Sequence, residues 1–357
     1  MKPFTVPDPL SRPVVTLRQI AAAAGVSMAA VSYALRRDAK IPEATRERVL
    51  AAAAGLGYRP NPRVASLMAH IRRGQAPPRG ERIAFVWVHT SRAQSRRDPF
   101  LRSVHRAARR RAEQMGFEVE EHWTADPGMT DRRLGEILRS RGIVGVVLSP
   151  VMTSESVLTL DWDWSQFAAA VIGNVSWVPE LHHAGHHHYL GMRMVLLELG
   201  RLGRTRPVAL IEATSNERSK HAWEAAFLAF AEDRTRAADR VRVVSRPDDA
   251  GIAAWVEERR PDALIVSETS LLGAPGLASL LRRRRCPVVT LYWSRKTPRG
   301  IGGVDQCSDR VAAHAVDLVV AQLHSNEFGV PDLPRIMLFP GRWVPPRPAR
   351  FNTPSAG

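Results

Sequence analysis

Apolar positions near the start of the chain recur at helical spacing. Residues 14–59 show this three-to-four-residue period with almost no strand signal, which predicts three short helices. Thr16 and Gln19 have the spacing of a capping box at the start of the first helix. Gly25 ends that helix because glycine tolerates the backbone of a tight turn, and Ser27 can cap the second. The segment therefore predicts two helices joined by a tight turn, followed by a third.

Beyond residue 80 the pattern changes to short apolar runs that alternate with amphipathic stretches. This alternation is typical of α/β proteins with parallel sheets covered by helices on both faces. Helices are predicted, for example, at Phe100–Met115 and Trp223–Ala231. The predicted strands are Ile83–Val88, Val144–Leu148, Ala169–Ile172, Val208–Ile211, Ala263–Val266 and Val288–Tyr292.

These changes in the hydrophobic pattern divide the chain into domains and linkers. A flexible N-terminus, 1–13, precedes a helix-turn-helix domain at 14–59, and a short helix with an exposed Pro- and Arg-rich linker occupies 60–80. Residues 81–345 form the α/β core, and 346–357 form a tail. A length of 357 residues suits two or three domains.

Charge narrows the class of partner. The chain has 51 Lys and Arg against 35 Asp and Glu, a net charge of +16, which favours a polyanion, with nucleic acid ahead of an anionic membrane surface. Ten basic residues stand against three acids between positions 14 and 73. No apolar run is long enough to span a membrane and no signal peptide is visible, so we expect a cytoplasmic protein without a membrane partner.

Two N-terminal motifs, VTLRQIAAAAGVSMAAVSYAL and IPEATRERVLAAAAGLGYRPNP, together with the strand-helix alternation that follows, resemble the lactose-repressor (LacI/GalR) family of bacterial transcription regulators. The resemblance covers nearly the whole chain. It implies a helix-turn-helix headgroup and hinge helix, followed by a two-lobed periplasmic-binding-protein-like core of doubly wound parallel sheets. It also implies a homodimer that reads a pseudo-palindromic double-stranded DNA operator, and a core that senses a small molecule.

Carried over by position, the base-reading positions of the recognition helix fall on Met28, Ala29 and Tyr33, where family members often hold more polar residues. Met28 and Ala29 offer only apolar contacts, such as with a thymine methyl group, and Tyr33 can donate one hydrogen bond. The alternative is that these side chains pack against the first helix. The full set of expected DNA contacts is Thr16, Arg18, Ser27, Met28, Ala29, Ser32, Tyr33, Arg36, Arg63 and Leu67.

Among these residues, Thr16 and Ser27 stand at helix N-termini, where backbone N–H groups can hold a phosphate, and the arginines supply cations. Solvated surface arginines are the alternative. Leu67 falls on the family position that is wedged into the minor groove at the operator centre, where it would bend the duplex. A plain linker helix is the alternative for residues 60–80.

In the core, the family's sugar-reading positions fall near Trp223, Glu268 and Trp293, and none keeps the expected side chain. Tryptophan offers a flat face for stacking on a ring, so Trp87, Trp223 and Trp293 either line an effector cleft or are core residues. The effector is therefore unknown. Ligands of doubly wound sheets bind at the carboxyl ends of strands, where we expect this site.

Other chemistry-bearing residues have simpler explanations. The run His182–His188 is rich in potential zinc ligands, but it precedes the predicted helix and contains no cysteine or carboxylate, so a polar rim of the cleft is favoured over a metal site. Cys286 and Cys307 lack CxxC spacing and fit packed thiols. The runs Arg109–Arg111 and Arg282–Arg285 fit solvated helix ends better than a further DNA-facing surface.

We therefore predict a DNA-binding transcription regulator, most simply a repressor, with no catalytic residue, metal or cofactor. A regulator whose cleft has lost its metabolite and is controlled by abundance or a protein partner remains an alternative. An enzyme or transport-type binding protein would need a nucleophile motif, a P-loop, an HExxH motif or an export signal, and none is found. A nucleoid architectural protein would show little sequence preference.

Overall fold

The computed structural model describes residues 16–35, 41–56, 58, 81–151, 155, 157–231, 236–246 and 249–346. By its internal contacts the chain divides into two compact units, Met1–Arg79 and Gly80–Gly357. The expected N-terminal segment 1–13, the expected hinge helix and linker at 60–80, and all but the first residue of the expected tail at 346–357 lie outside the described residues.

The described residues of the smaller unit form three helices, as the apolar spacing predicted: α1 (Leu17–Ala24), α2 (Met28–Leu35) and α3 (Glu43–Gly55). One apolar cluster holds them together. Ile20 of α1, Val31 of α2 and Val49 of α3 are fully buried in it. Each helix therefore contributes to a single small core.

The larger unit contains fourteen strands among its described residues. They are β1 (Arg82–Trp87), β2 (Glu118–Trp123), β3 (Gly145–Leu148), β4 (Val157–Leu158), β5 (Ala168–Ile172), β6 (Ser176–Trp177), β7 (His182–His186), β8 (Pro207–Glu212), β9 (Val241–Val244), β10 (Ala263–Val266), β11 (Val288–Thr290), β12 (Gly302–Asp305), β13 (Ile336–Phe339) and β14 (Arg342–Val344). All six predicted strands are present, within two residues of their expected ends.

Its helices lie between these strands. They are α4 (Arg92–Arg97), α5 (Pro99–Gln114), α6 (Asp131–Ser140), α7 (His188–Arg201), α8 (Ala213–Arg218), α9 (Ala222–Phe230), α10 (Gly251–Arg259), α11 (Leu277–Arg284) and α12 (Ser308–Ser325). Asp98 caps α5 by accepting hydrogen bonds from the N–H groups of Phe100 and Leu101, and Pro99 occupies its first turn.

The described residues of the larger unit form two six-stranded sheets and a small parallel sheet of β4 and β6. The first has the order β13-β7-β5-β3-β1-β2 and the second has the order β14-β12-β11-β10-β8-β9. All neighbouring strands are parallel except β12 and β14. Helices α5 and α12 cover one face of the first sheet and α6 covers the other. Helices α7 and α9 cover one face of the second sheet, and α10 and α11 the other.

The chain passes between the two sheets three times. It crosses after β7, again between β12 and α12, and finally between β13 and β14. The first sheet thus receives β13 and the second sheet receives β14 from the end of the described chain. Two doubly wound sheets joined by three crossings form the two-lobed α/β core that the resemblance implied, with helices on both faces of each sheet.

Strand β7 was not predicted, because its sequence is rich in histidine. Its residues are His182, His183, Ala184, Gly185 and His186, and it pairs with β5 on one side and β13 on the other. His182 and His186 are buried. Within the described residues, no helix combines the length and apolar character needed to cross a membrane.

Candidate functional site

Helix α2 is placed by the turn that precedes it. Thr16 and Gln19 form the expected capping box at the start of α1, with the Thr16 N–H donating to Gln19 Oε1 at 2.8 Å. Gly25 ends α1 in the left-handed conformation, φ 64°, which is strained for most other residues. Ser27 then caps α2, because its Oγ accepts a hydrogen bond from the Ala30 N–H at 3.2 Å.

The first turn of α2 is open to solvent. Met28 is 56% exposed although it is strongly apolar, whereas Tyr33 is half-buried. Thr16, Arg18 and Ser27 are exposed. An apolar side chain at the exposed start of the second helix is therefore free to meet another surface.

The remaining expected DNA contacts lie wholly or partly outside the described residues. The backbone of Ala29 and Ser32 belongs to α2, but their side chains lie outside the described part of the structure. Arg36, Arg63 and Leu67 also lie outside the described residues. Their assignments therefore remain predictions from sequence.

A cavity of about 200 Å³ lies within the larger unit, where strands of both sheets end. Ser149 follows β3, Asn174 follows β5, Glu268 follows β10 and Tyr292 follows β11, and all four line it. These are the carboxyl ends of parallel strands, which is where doubly wound sheets bind their ligands. The position agrees with the expectation from sequence.

One side of the cavity is polar and charged. Ser215 Oγ donates to Glu268 Oε1 at 2.5 Å and accepts from Arg218 Nη2 at 2.9 Å, while Arg218 Nη2 lies 3.7 Å from the same carboxylate oxygen. We call these three residues the polar edge. Arg218 and Glu268 are the charged groups among the described residues that line the cavity, and their charges cancel.

The other walls of the cavity are aromatic and aliphatic. The ring centroids of His188 and Trp223 are 4.5 Å apart in an edge-to-face arrangement, and both residues line the cavity. Burial lowers the pKa of His188 well below its ordinary value of 6.5, so this imidazole is neutral. Within the described residues, His188 Nδ1 and Trp223 Nε1 have no hydrogen-bond partner.

The cavity brings together two of the four residues expected at an effector site. Trp223, only 4% exposed, and Glu268 both line it. Trp87 does not: it is 1% exposed in the core of the first sheet, and its indole N–H donates to Glu121 Oε2 at 2.8 Å. Trp293 is half-buried next to β11 and is not among the lining residues. Trp87 is thus a core residue, the alternative that the sequence left open.

Sequence reasoning missed Ser215, Arg218 and Trp177 as lining residues. Ser215 and Arg218 follow the predicted strand β8, so the rule that places ligand contacts after strand ends could have found them. His188, expected at a polar rim, lies against Trp223, whereas His187 caps α7 by accepting a hydrogen bond from the Leu190 N–H at 3.4 Å. Nothing in the sequence pattern marks Trp177.

The histidine run does not form a metal centre within the part of the chain that is described. His182 Nδ1 accepts a hydrogen bond from the Arg335 N–H at 2.7 Å, which fixes it to the backbone. No group of three or more His, Cys, Asp or Glu side chains in the described regions is arranged to hold a metal ion. Cys286 and Cys307 are both free thiols, and burial raises the pKa of Cys286 to about 11.

Comparison with known proteins gives a family match for one segment of the chain and a fold for the larger unit. Residues 16–61 match the family described as bacterial regulatory proteins, lacI family. No curated protein matches the chain. A LacI transcriptional regulator from a Rhodococcus species has 18% identity and a TM-score of 0.52, over 75% of this chain and 99% of its own. A complex of the transcriptional regulator CelR with cellobiose has 19% identity and a TM-score of 0.50, over 91% and 97%.

At this level of identity the structural likeness establishes a shared fold, whereas the family match concerns the helix-turn-helix itself. Residues 16–61 thus match the bacterial regulatory proteins of the lacI family, and the larger unit has the fold of solved LacI-type transcription regulators.

Proposed function

We propose that this protein is a transcriptional repressor that binds a pseudo-palindromic operator as a homodimer. The observation that carries the proposal is the exposed start of α2, with Met28 in its first turn, inside the segment that matches the lacI family. A second helix held at a tight turn fits the major groove, with its first residues at the base edges. Two identical headgroups would read two half-sites, and occupation of the operator would block transcription.

Backbone contacts would supply most of the affinity. The headgroup segment is strongly basic, and Arg18 and Arg36 are proposed to contact phosphates together with the N-terminus of α1. These contacts position the protein without reading sequence. Specificity is therefore assigned to Met28, Ala29 and Tyr33.

The deciding experiment is selection of bound sequences from a random double-stranded library with the full chain at physiological salt. We expect a motif with two inverted half-sites, and a protein-to-DNA stoichiometry of two chains per site in analytical ultracentrifugation. Recovery of no motif, with affinity set only by salt and DNA length, would overturn the proposal in favour of an architectural protein. A reporter placed behind the selected site then distinguishes repression from activation.

The second part of the proposal is that the cavity binds a small-molecule effector that alters DNA affinity. Support comes from its position at the carboxyl ends of strands in both sheets. A ligand held there has different contacts when the sheets move, and it shifts the protein between states only by that difference in affinity. A regulator without an effector would show the same operator affinity at every ligand concentration.

Coupling between effector and operator is proposed to act through the hinge segment 60–80, on the strength of the family resemblance. We expect Leu67→Ala to weaken binding to the selected operator at least tenfold more than binding to unrelated DNA, because a minor-groove wedge acts only at a deformable central step. Competition assays on both DNAs measure this ratio, with Leu56→Ala as an exposed control on the headgroup. Equal losses on both DNAs would remove the wedge.

A further inference from the structure

The size, charge and polar groups of the cavity restrict the kind of molecule that it can bind. Its size is one constraint, because an apolar cavity of roughly 150 Å³ is known to hold a single benzene molecule. The volume here, about 200 Å³, is slightly larger. It therefore suits one six-membered ring with a small substituent.

Charge is the second constraint. Arg218 and Glu268 lie 3.7 Å apart and cancel each other, and the histidines at the cavity are neutral because burial lowers their pKa values. A ligand with a net charge would lose its hydration without meeting an opposite net charge. The cavity therefore selects against carboxylates, phosphates and ammonium ions.

The third constraint is where unused hydrogen-bonding capacity remains. Asn174 uses both ends of its amide on the backbone of His186, at 3.1 and 3.0 Å. Gln306 Nε2 donates to the Leu291 carbonyl at 3.1 Å, and Ser149 Oγ accepts from the Val88 N–H at 3.1 Å. These three side chains already serve the protein. In the described part of the chain, the unpartnered buried polar atoms on the other walls are ring nitrogens, in Trp177, His186, His188 and Trp223. They lie among apolar wall residues, so a free sugar, with hydroxyl groups on every side, would leave several of its hydroxyls without partners.

The polar edge keeps some capacity. Among the described residues, Arg218 Nη1 and Glu268 Oε2 make no hydrogen bond to protein, so the edge offers a donor beside an acceptor. A hydroxyl or a primary amide can both accept from Arg218 and donate to Glu268. The aromatic walls at Trp177 and Trp223 can receive a ring by edge or face contacts.

From these constraints, and resting on the effector role proposed above, we propose that the cavity binds an uncharged molecule with one aromatic ring and one hydroxyl or amide group. The ring lies among the aromatic and aliphatic walls. The polar group lies at the polar edge, between the free donor of Arg218 and the free acceptor of Glu268.

The test uses ligands that share a ring and differ in charge: benzyl alcohol, benzamide, benzoate and benzylammonium, with glucose as the sugar. Binding to the full chain is followed by tryptophan fluorescence and calorimetry. We expect millimolar or tighter binding of benzyl alcohol and benzamide, and at least tenfold weaker binding of the other three. Equal or tighter binding of either ion or of glucose, or no binding of the two neutral compounds at roughly 10 mM, would overturn the proposal.

A charge variant locates the polar group. Glu268→Gln keeps the side-chain volume and leaves Arg218 uncompensated, so benzoate affinity should rise about tenfold while benzyl alcohol changes less than threefold. Glu258→Gln, on α10 with a 76% exposed side chain, is the matched control and should change neither. An unchanged ratio of benzoate to benzyl alcohol in Glu268→Gln contradicts the placement. An unchanged unfolding midpoint shows that the variant is folded.

This test is separable from that of the proposed function. Library selection is run without and with the neutral compounds, so recovery of an operator with no binding of these compounds rejects the ligand class alone. Conversely, ligand binding without any selected DNA motif rejects the regulator and leaves the cavity chemistry standing. A ligand that binds but leaves operator affinity unchanged separates the cavity from regulation.

Discussion

Burial affects the pKa values of six histidines of the larger unit more than their charged neighbours do. It lowers the pKa of His186, which is 4% exposed, to about 3. Burial lowers the pKa in the same way at five other positions: His105, His122, His182, His183 and His188. Each is neutral in the folded protein at neutral pH, so the fold does not tolerate their protonation well.

A pH dependence of stability follows for His186. Its folded-state pKa lies below the unfolded value of about 6.5, so the unfolded chain binds the extra proton between pH 6.5 and 3, and stability falls as pH falls through that window. Between pH 7 and pH 5, we expect the free energy of unfolding to fall by about 2 kcal/mol less in His186→Gln than in the unchanged protein. Denaturant unfolding at both pH values measures this. His324→Gln, at an exposed position, should keep the full loss; parallel curves for both variants would contradict the assignment.

In the smaller unit, which contains the expected DNA-binding headgroup, Met28 allows a test of base reading. Replacement by glutamine, which pairs with adenine, should change the base preferred at one position in each half-site by about 1–3 kcal/mol while the salt dependence of binding stays the same. Library selection with the variant measures the preference. Ala54→Gln, also exposed on the headgroup, is the control. An unchanged motif would mean that Met28 does not touch a base.

At the scale of elements, one side chain fastens α12 to the first sheet. Gln322 is buried; its Oε1 accepts from the Ala169 N–H at 3.2 Å, and its Nε2 donates to the Ala169 carbonyl at 3.1 Å. Strand β7 begins to pair with β5 only at Ala170, so the backbone of Ala169 would otherwise lack a partner on that side. The helix thus completes the strand.

Loss of the two hydrogen bonds between Gln322 and Ala169 should lower the stability of the fold. Gln322→Leu fills a similar volume but leaves two buried backbone groups without partners, and we expect a loss of about 1–3 kcal/mol in the free energy of unfolding. Gln114→Leu, at the exposed end of α5, should change it by less than about 0.5 kcal/mol. Chemical denaturation compares the two. A similar small effect for both would show that Ala169 finds another partner.

The elements also show what sequence could and could not predict. The strands β1, β3, β5, β8, β10 and β11 are short apolar runs and were predicted, because a strand covered on both faces is apolar throughout. Strand β7 was not, since its histidines look polar although the backbone pairs on both sides. Strand β2 was missed because it is an edge strand with three glutamates. Strands β13 and β14 join their sheets only through long-range crossings.

The candidate cavity site was predictable to the same extent as its strands. Glu268 and Trp223 were found from family positions, and Ser215 and Arg218 stand just after a predicted strand. Their meeting could not be foreseen, because the polar edge joins α8 to the end of β10 across 53 positions of the chain. The sequence could not decide between cleft and core for Trp87 for a related reason: a tryptophan on a strand next to an edge strand finds its partner, Glu121, only in the folded sheet.

At the scale of the whole molecule, the two units have separate cores and separate optical signals. The cluster around Ile20 contains only residues of the smaller unit, and the other four clusters contain only residues of the larger one. All nine tryptophans belong to the larger unit. Tryptophan fluorescence therefore reports the cavity-bearing unit alone, whereas operator binding reports the headgroup.

This separation predicts a variant that divides the two activities. Ile20→Ala deletes the centre of the small core and should cost about 2–5 kcal/mol, enough to unfold a domain of this size, so operator binding should be lost. The midpoint of tryptophan fluorescence and the affinity for benzyl alcohol should stay unchanged, because no residue of the larger core is touched. Leu50→Ala, at a 41% exposed position of α3, should preserve both activities. A fall in the fluorescence midpoint with Ile20→Ala would instead show that the units fold together, and effector control would then include the stability of the headgroup itself.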